Sequence, residues 1–454
     1  MKNFLAEIIA KYIERIKYND IPRAAIEKIK LCILDSIGCA LGGSMTDEGN
    51  IVIKSLLKGG GQGSSTIFGH KIRTSLSSAV FINSVFTNIL DFDDTYIGHP
   101  GATIVPVALN VGEFRNISGK DIITAMIIGY EIAIRIGIGL RSTVERKYVH
   151  GHGTWQVFGS TVTASKLLGL NNEEMVNALG IAGANAPVPS VMKTVFGLTG
   201  PTIAKNNFGI ASEVGVISAL LAGNGFSGPK DIFDGETGFW RMIGTNHCDL
   251  DRVFDNLNSE YKILNVAFKP YPCCRLIHSS IEAVMNTLNE NDIALRDVEK
   301  IVIKNISPLS SQPFSAQEPK NMTEAQFSLP YVIACAIRNI SPLEWCKNIM
   351  NSSLLEVARK VESRVDSNAD NSFQNDPGKI PATAIVYIKN GKEYSNKVEI
   401  PKGDPRNPFT EEALKGKFKK LTIGALGDKD KAIVNMIMKL EKLENINSLT
   451  KILS

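Results

Sequence analysis

The sequence predicts a mainly α-helical protein in which a large all-helical domain is interrupted by a smaller, inserted α+β lid domain. Apolar residues recur at helical spacing from the N-terminus to about residue 225. Strand-like runs and an Asn-Gly hairpin signal occur only after Pro272, and helical patterns return after Pro408. We expect the helical domain over residues 1–265, the lid domain over 266–402, and C-terminal helices over 403–454 that return to the first domain.

The first domain is expected to consist of helices separated by Gly-rich turns. The predicted helices span residues 24–41, 79–90, 120–140, 156–168, 173–183 and 211–222. Residues 1–17 carry Glu7 and Glu14 within an apolar pattern, which indicates an amphipathic surface helix rather than a signal peptide. The most apolar window, 122–140, is short for a membrane span and contains Glu131 and Arg135, so we predict a buried core helix.

The lid domain is expected to mix helices with strands. Its predicted helices are 277–288 and 324–337, and its predicted strands are 299–306, 382–388 and 393–400. The Asn390-Gly391 pair predicts a hairpin between the last two strands, because both residue types tolerate positive φ. Helices are predicted again over 410–420 and 429–443, and the charge run 415–420 is interpreted as a solvated helix face.

Composition excludes several functional classes. The 454 residues are 44% hydrophobic and 21% charged, with a net charge of +4 and no basic block interleaved with aromatics, so nucleic acid binding is not expected. We expect a cytoplasmic protein that does not enter membranes. The seven cysteines include no CxxC pair, which disfavours a disulfide framework, a zinc ribbon and an iron–sulfur cluster. No nucleotide-binding, zincin or nucleophile-elbow motif occurs, so no cofactor is predicted.

The segment 91–100, Asp-Phe-Asp-Asp-Thr-Tyr-Ile-Gly-His-Pro, is the strongest candidate for a functional site. It follows a predicted helix, and a helix C-terminus disfavours acidic side chains because of its partial negative charge. Stability alone is therefore a poor reason for this cluster, and Asp91 with His99 indicates a site. The structural alternative for Asp93 or Asp94 is to cap a following helix that would begin near Thr103.

A second candidate is the segment that precedes the helix predicted from Gln156. A histidine at a helix N-terminus tends to stay neutral, so His150 could act as a general base. His152 could contribute to a site or simply cap the helix. The HxH spacing also permits a metal, but a third ligand at close spacing is missing, and we predict no metal.

Two further segments could supply cations for an anionic substrate. Lys205 and Asn206 precede an apolar helix whose N-terminus already favours anions, although a solvent-facing lysine is the common alternative. Lys269 and Arg275 lie where two prolines fix the approach to another helix, and arginine pairs with carboxylates through two hydrogen bonds. His278, in the first turn of that helix, could be structural or catalytic.

The segment 323–331 opens a helix that is apolar through residue 336. Glu324 and Gln326 are interpreted as capping and first-turn residues. Ser328 and Tyr331 are weaker candidates for a site, and Tyr331 is assigned to substrate binding.

These segments, in this order, resemble the MmgE/PrpD family, and the resemblance covers nearly the whole chain. The motifs that carry it are Leu90-Asp-Phe-Asp-Asp-Thr, His99-Pro-Gly, Gly129-Tyr-Glu, His150-Gly-x-Gly-Thr-Trp, Ser165-Lys-Leu-Leu-Gly-Leu, Gly225-Phe-Ser-Gly-Pro, Lys269-Pro-Tyr-Pro-Cys-Cys-Arg, Ala325-Gln-Phe-Ser-Leu-Pro-Tyr and Gly403-Asp-Pro-Arg-Asn-Pro. The resemblance implies a homodimer, a large helical domain, a smaller lid domain and a metal-free site in the cleft between the domains.

The resemblance also implies which residues act. It assigns catalytic roles to Asp91, His99, His150, Lys205 and Lys269. It also places the family's threonine at Thr95, and we predict substrate binding by the side chains of Thr95, His152, Asn206, Arg275 and Tyr331. His152 stands where many members carry Thr or Gly, so this position could alter the choice of substrate.

The reaction implied is proton transfer next to a carboxylate, for which histidines move protons and cations hold substrate carboxylates. The leading hypothesis is a cofactor-independent hydro-lyase that dehydrates 2-methylcitrate or a similar tricarboxylate. An iminodisuccinate-type epimerase or a cis-aconitate-type decarboxylase remains open, as does a non-catalytic binding protein. A terpenoid-synthase-like magnesium site is disfavoured, because Ile97 stands where that motif needs an acid.

Overall fold

Helices dominate the structure, which confirms the predicted mainly α fold. The computed structural model describes residues 4–59, 63–141, 149, 151–195, 206–245, 248–257, 259–347, 349–425 and 427–454, apart from the side chains at positions 141, 192 and 206. The helices and strands before residue 255 are α1 (Leu5–Arg15), α2 (Arg23–Ser44), α3 (Asp47–Gly59), β1 (Ser65–Thr66), β2 (Arg73–Thr74), α4 (Leu76–Ile89), α5 (Pro100–Arg115), α6 (Gly119–Arg141), α7 (Gly151–Leu168), α8 (Asn172–Ala184), α9 (Val191–Thr194), α10 (Asn206–Gly223), α11 (Phe239–Met242) and α12 (Leu250–Phe254).

The helix α7 lies among α5, α6, α8 and α10. Glycines permit its close approach to α6. A Cβ on Gly159 would lie 2.7 Å from the Cβ of Ala133, and one on Gly129 would lie 2.1 Å from Thr163 Oγ1. Any side chain at either position would push the two helices apart. This packing holds the first turn of α7 against the loop that follows α4, where the Trp155 indole donates a hydrogen bond of 2.9 Å to the carbonyl of Ile97.

The helix α6 is a core helix, as its internal charges predict. By length and composition Gly119–Leu140 could cross a membrane, but 94% of its most apolar window is buried inside the protein. Glu131 and Arg135 form a fully buried ion pair at 3.1 Å. Arg135 also donates to the carbonyls of Asp255 and Glu260, at 2.6 and 2.8 Å. The buried charges are therefore paired and hydrogen-bonded, as burial requires.

The second part of the chain contains a four-stranded sheet. Its elements are α13 (His278–Glu290), β3 (Val298–Asn305), α14 (Met322–Phe327), α15 (Leu329–Ile337), α16 (Ser352–Ala358), β4 (Val361–Val365), α17 (Ser367–Asn375), β5 (Ala382–Ile388) and β6 (Glu393–Val398). The strand order is β4-β3-β5-β6, in which β3 and β4 are parallel and the other pairs are antiparallel. The predicted hairpin joins β5 to β6, and Gly391 takes φ 84° at its turn. The helix α13 packs on β5 and β6.

The C-terminal helices pack against the first part of the chain. They are α18 (Glu411–Thr422), α19 (Asp430–Met438) and α20 (Asn447–Ile452). The helices α18 and α19 contact α2, and α20 contacts α5. Most of the buried apolar residues belong to two clusters, a large one from residues 5–268 and 414–453 and a second from residues 273–398. The predicted domain boundaries at 265 and 402 stay predictions.

Several boundaries differ from those predicted. The helix expected near Thr103 begins at Pro100, because proline is suited to the first helical position. The single helix predicted over 324–337 is two helices, which meet at Ser328. Ser328 has extended backbone there, and its hydroxyl accepts a hydrogen bond of 3.1 Å from the backbone N–H of Tyr331. A serine cap therefore ends one helix and begins the next.

Candidate active site

The candidate site is built on the acidic loop, residues 91–99, which connects α4 to α5. Asp91 follows the C-cap residue Leu90 and takes the left-handed conformation, with φ 51°. Its backbone N–H donates a hydrogen bond of 2.8 Å to the carbonyl of Asn88. This is the position after a helix where glycine is common, and aspartate tolerates it better than most side chains. The turn at Asp91 directs the loop into the protein, where Asp91, Asp93 and Asp94 are all buried.

Side chains from distant segments bind carbonyl groups at the end of α4 and in the first residues of the acidic loop. Gln326 Nε2 donates to the carbonyl of Ile89 at 2.8 Å. Lys269 Nζ donates to the carbonyl of Asp91 at 2.8 Å, and Lys417 Nζ donates to that of Phe92. The final carbonyls of a helix lack partners within the helix. Cations and an amide from elsewhere in the chain thus stabilise a helix end that would otherwise disfavour the acids beside it.

His99 lies between two carboxylates of the same loop. Its Nδ1 is 3.1 Å from Asp93 Oδ2, whereas its Nε2 is 3.8 Å from Asp91 Oδ1. Asp93 also accepts a hydrogen bond of 2.9 Å from Asn88 Nδ2. Asp93, rather than Asp91, is therefore the hydrogen-bonding partner of the imidazole. A carboxylate on Nδ1 favours the tautomer with the proton on that nitrogen, which leaves the lone pair of Nε2 for proton transfer.

The residue Asp94 has the capping role that was the structural alternative for this segment. It accepts hydrogen bonds of 2.9 Å from the N–H of Gly101 and 2.6 Å from the hydroxyl of Tyr130. Burial raises the pKa of Asp94 to about 7, although the Tyr130 hydrogen bond opposes this shift. A Cβ on Gly101 would lie 2.7 Å from Asp94 Oδ1, so the cap requires glycine at that position.

Lys269 is the buried cation of the site. Its Nζ lies 3.1 Å from Asp91 Oδ1, and its side chain is only 2% exposed. Burial alone would lower the pKa of Lys269, but the charges of Asp91 and Asp93 outweigh burial and raise the pKa above its ordinary value. The lysine therefore remains an ammonium ion that neutralises part of the acidic loop.

The same loop contains a possible metal-ligand set. Donor atoms of Asp91, Asp93 and His99 lie within 4.8 Å of one another. Carboxylate and imidazole groups are both common ligands of divalent metals. However, the Lys269 ammonium already contacts Asp91 Oδ1, and Asp93 Oδ2 is bonded to His99 Nδ1. A metal would have to displace both contacts. These residues are therefore better suited to the Lys269 ammonium than to a metal ion.

His152 also lies near His99. It lies in the first turn of α7, and its ring centroid is 5.6 Å from that of His99. Phe208, in the first turn of α10, packs edge-on against His99 at 5.4 Å. The N-terminal turns of α7 and α10 thus meet the acidic loop. His150, Lys205 and the side chain of Asn206 lie outside the described residues, so their predicted roles stay predictions.

Thr95 shapes the loop through its backbone and hydroxyl. Its N–H and carbonyl exchange hydrogen bonds with Ala267, at 2.9 and 3.0 Å, and its Oγ1 donates to the carbonyl of Gly98 at 2.8 Å. The exchange with Ala267 places Lys269 beside the acidic loop. The predicted contact of Thr95 with substrate stays a prediction.

Arg275 and Tyr331 have partners outside the acidic loop. The guanidinium of Arg275 pairs with Asp404, which also binds Arg406 at 2.9 Å. Tyr331 is fully buried in the second core cluster, and its hydroxyl donates to the carbonyl of Trp345 at 2.6 Å. The observed role of the Tyr331 hydroxyl is thus a core hydrogen bond, and its predicted substrate contact stays a prediction.

His278 fits the structural alternative considered for it. Its Nε2 lies 3.2 Å from the carbonyl of Cys273, within a fully buried environment. Burial lowers the pKa of His278 well below its usual range, and the nearby Lys269 charge adds to this effect. His278 therefore stays neutral and holds the turn that precedes α13.

The interpretation of 415–420 as a solvated face was wrong for Lys417. That side chain is buried, and its Nζ lies 2.7 Å from Asp35 Oδ1 on α2. Burial raises the pKa of Asp35, and the Lys417 charge opposes this shift. The spacing offered a signal, because Lys417 shares a helix face with Leu414 and Leu421, which are both buried.

Gln326 was interpreted as a first-turn residue, but its amide reaches the end of α4. Glu324 does have the expected capping role, since its Oε2 accepts from the N–H of Lys320 at 2.8 Å. Gln326 links α14, in the second part of the chain, to the helix that carries the acidic loop. No local pattern signals this contact, because it depends on how the two parts of the chain pack.

Replacing Gln326 with methionine should lower the free energy of unfolding by about 1–3 kcal/mol. The buried carbonyl of Ile89 would lose its donor, while the side-chain volume would change little. Denaturant unfolding measures the effect. Gln317 is a matched control, because its exposed amide donates to backbone carbonyls only at 3.4 Å. Gln317→Met should change stability by less than about 0.5 kcal/mol, and equal losses in both variants would contradict the assignment.

Comparison with known proteins supports a single family. A model of the MmgE/PrpD N-terminal domain matches residues 7–249, and a model of the C-terminal domain matches residues 271–442. The chain is 24% identical to a cis-aconitate decarboxylase of Aspergillus terreus, covering 100% of this chain and 96% of the relative. It is 26% identical to the human cis-aconitate decarboxylase, covering 100% and 95%. It is 23% identical to the alkylcitrate dehydratase phiI of a fungal species, covering 91% and 86%. The two family models together cover most of the chain, which therefore belongs to the MmgE/PrpD family.

Proposed function

We propose that this protein is a cofactor-independent lyase that removes water from 2-methylcitrate or a similar tricarboxylic acid. The observation that carries the proposal is the placement of His99 between the buried carboxylates of Asp93 and Asp91, with Lys269 beside them. An imidazole oriented by a carboxylate is suited to proton transfer. The family membership and the alkylcitrate dehydratase among the relatives support the same class of reaction.

In the proposed reaction, Nε2 of His99 takes a proton from the carbon next to a substrate carboxylate. The electron pair of that C–H bond forms a carbon–carbon double bond, and the hydroxyl on the neighbouring carbon leaves. A second group supplies a proton to the hydroxyl, so that water is released. Asp93 stabilises the imidazolium that forms on His99, because it accepts the hydrogen bond from Nδ1. His150, in the position that the family resemblance implies, is our candidate for the second group.

Cationic side chains would stabilise the negative charge that develops next to the carboxylate. Lys269 contributes a buried positive charge while its ammonium holds Asp91 in place. Arg275 pairs with Asp404 and is 22% exposed, and a guanidinium has further N–H donors for a substrate carboxylate. Lys205, which lies outside the described residues, is the third predicted cation.

Decarboxylation of cis-aconitate is the second candidate, because that activity is named for several relatives. Loss of carbon dioxide leaves a carbanion that must be protonated, and the same imidazole could supply the proton. Epimerisation is a third use of the same groups, since it removes and returns one proton at the same carbon.

The test is a proton NMR assay in which purified protein is incubated separately with 2-methylcitrate, citrate and cis-aconitate. The proposed dehydratase should convert 2-methylcitrate to an unsaturated acid without release of carbon dioxide. The product would show a vinyl proton if the CH2 group loses the proton, or a methyl doublet collapsed to a singlet if the methyl-bearing carbon loses it. Release of carbon dioxide from cis-aconitate would identify a decarboxylase instead. Deuterium uptake at the substrate carbon without net elimination would identify an epimerase, and no reaction with any of the acids would contradict the lyase proposal.

A further inference from the structure

Gln156 carries a buried amide that the proposed mechanism does not use. It lies on α7 one turn after His152, and its side chain is only 1% exposed. Its Oε1 is buried, yet it has no hydrogen-bond partner among the residues that the structure describes. A buried acceptor without a donor costs about 1–3 kcal/mol. Such a group in a folded protein calls for an explanation, and an absent ligand is one.

The position of the amide points to the candidate site. The Nε2 atom of Gln156 would lie 3.0 Å from a Cβ on Gly98, the residue before His99. The neighbouring Trp155 indole donates a hydrogen bond of 2.9 Å to the carbonyl of Ile97. His152, on the preceding turn of the same helix, faces His99 with ring centroids 5.6 Å apart. The first two turns of α7 therefore place Gln156 beside the loop that carries the proposed base.

One turn further along α7 the environment is different. Ser160 Oγ is also buried without a hydrogen-bond partner among the described residues. However, a Cβ on Gly215 of α10 would lie 2.6 Å from the Cβ of Ser160, so this serine is enclosed by helix packing. Ser160 thus supplies a control for a buried polar group on the same helix that lies away from His99.

We propose that Gln156 Oε1 accepts a hydrogen bond from the hydroxyl group of a hydroxytricarboxylate substrate. This inference rests on the proposed function and deepens it. Ionised carboxylates have no hydrogen to donate, so the hydroxyl is the donor that such an acid offers. An unsaturated acid such as cis-aconitate lacks this hydroxyl. A site built to bind a substrate hydroxyl discriminates against analogues without it, because the protein acceptor is then left unpaired.

The inference favours dehydration over decarboxylation for this chain. In the dehydration, the hydroxyl held by Gln156 is the group that leaves as water, and its orientation fixes which hydrogen His99 can reach. Gln156 is thus a specificity residue that contacts the substrate.

The test compares citrate with tricarballylate, which is the same acid without the hydroxyl, by calorimetric binding to the full-length protein. Wild-type protein should bind citrate on the order of ten-fold more tightly. Gln156→Met keeps a similar volume but removes the acceptor, so it should reduce this preference to about one-fold. Because the variant loses an unpaired buried polar group, its thermal midpoint should not fall. Ser160→Ala should keep the wild-type preference for citrate.

The outcomes separate this inference from the proposed function. Equal binding of the two acids by wild-type protein would overturn the inference, even if the NMR assay detects dehydration. A loss of affinity for both acids in Gln156→Met would indicate that the amide binds a carboxylate, and it would also overturn the hydroxyl role. Failure of both acids to bind, together with no reaction in the NMR assay, would overturn the substrate class itself.

Discussion

Replacing His99 with glutamine should reduce kcat by about 10²- to 10⁴-fold, the usual contribution of a positioned acid–base group. The Nδ1 atom of His99 lies 3.1 Å from Asp93 Oδ2, and its Nε2 atom lies 3.8 Å from Asp91 Oδ1. Glutamine preserves a hydrogen-bond donor for Asp93 but cannot accept a proton. KM should change little, because His99 moves a proton in the proposed reaction and does not bind a carboxylate. Steady-state kinetics with the substrate found by the NMR assay would measure both constants.

The matched control for this variant is His70→Gln. His70 is a half-buried histidine whose ring lies 6.0 Å from that of Phe86, and it has no part in the acidic loop. Its replacement should leave kcat within about two-fold of wild type, in keeping with the small effects of substitutions outside named mechanisms. If His99→Gln retained wild-type kcat, another group would have to be the base, and the proposed mechanism would be wrong.

The acidic loop shows how far the sequence could predict the site. The crowding of acids at a helix end indicated a functional segment, and Asp91, His99 and Lys269 do lie together. The choice of Asp93 as the partner of His99 was not predictable. It depends on positive φ angles at Asp91 and Ile97, which residues other than glycine rarely adopt. No rule of local spacing anticipates a loop with two such residues.

The contacts that Lys417 and Gln326 make near the acidic loop were not predictable from the sequence for a different reason. Lys417 lies 325 positions along the chain from Phe92, whose carbonyl it binds. Gln326 lies 237 positions from Ile89. Contacts this distant follow from tertiary packing, whereas sequence patterns mainly report on neighbouring residues. The helices themselves were predictable because their apolar spacing is local, and their ends were less so because capping at Pro100 and Ser328 decides them.

Replacing Lys269 with methionine should destabilise the protein by about 3–5 kcal/mol, the usual cost of removing one partner of a buried ion pair. Asp91 is 3% exposed and Asp93 is fully buried. Water therefore could not solvate either carboxylate in place of the lost ammonium group. The carbonyl of Asp91 would also lose its donor. Denaturant unfolding measures the change. Lys397→Met is the control, because Lys397 pairs with Glu399 at 2.8 Å but is 58% exposed, and its loss should cost less than about 1 kcal/mol.

A second substitution tests whether charge is the cause of the expected loss. Asp91→Asn in the Lys269→Met background removes the carboxylate left without its cation, so the double variant should be more stable than the single one. If Asp91→Asn did not restore stability, the contribution of Lys269 would be packing of its aliphatic chain, and the acidic loop would not depend on its charge.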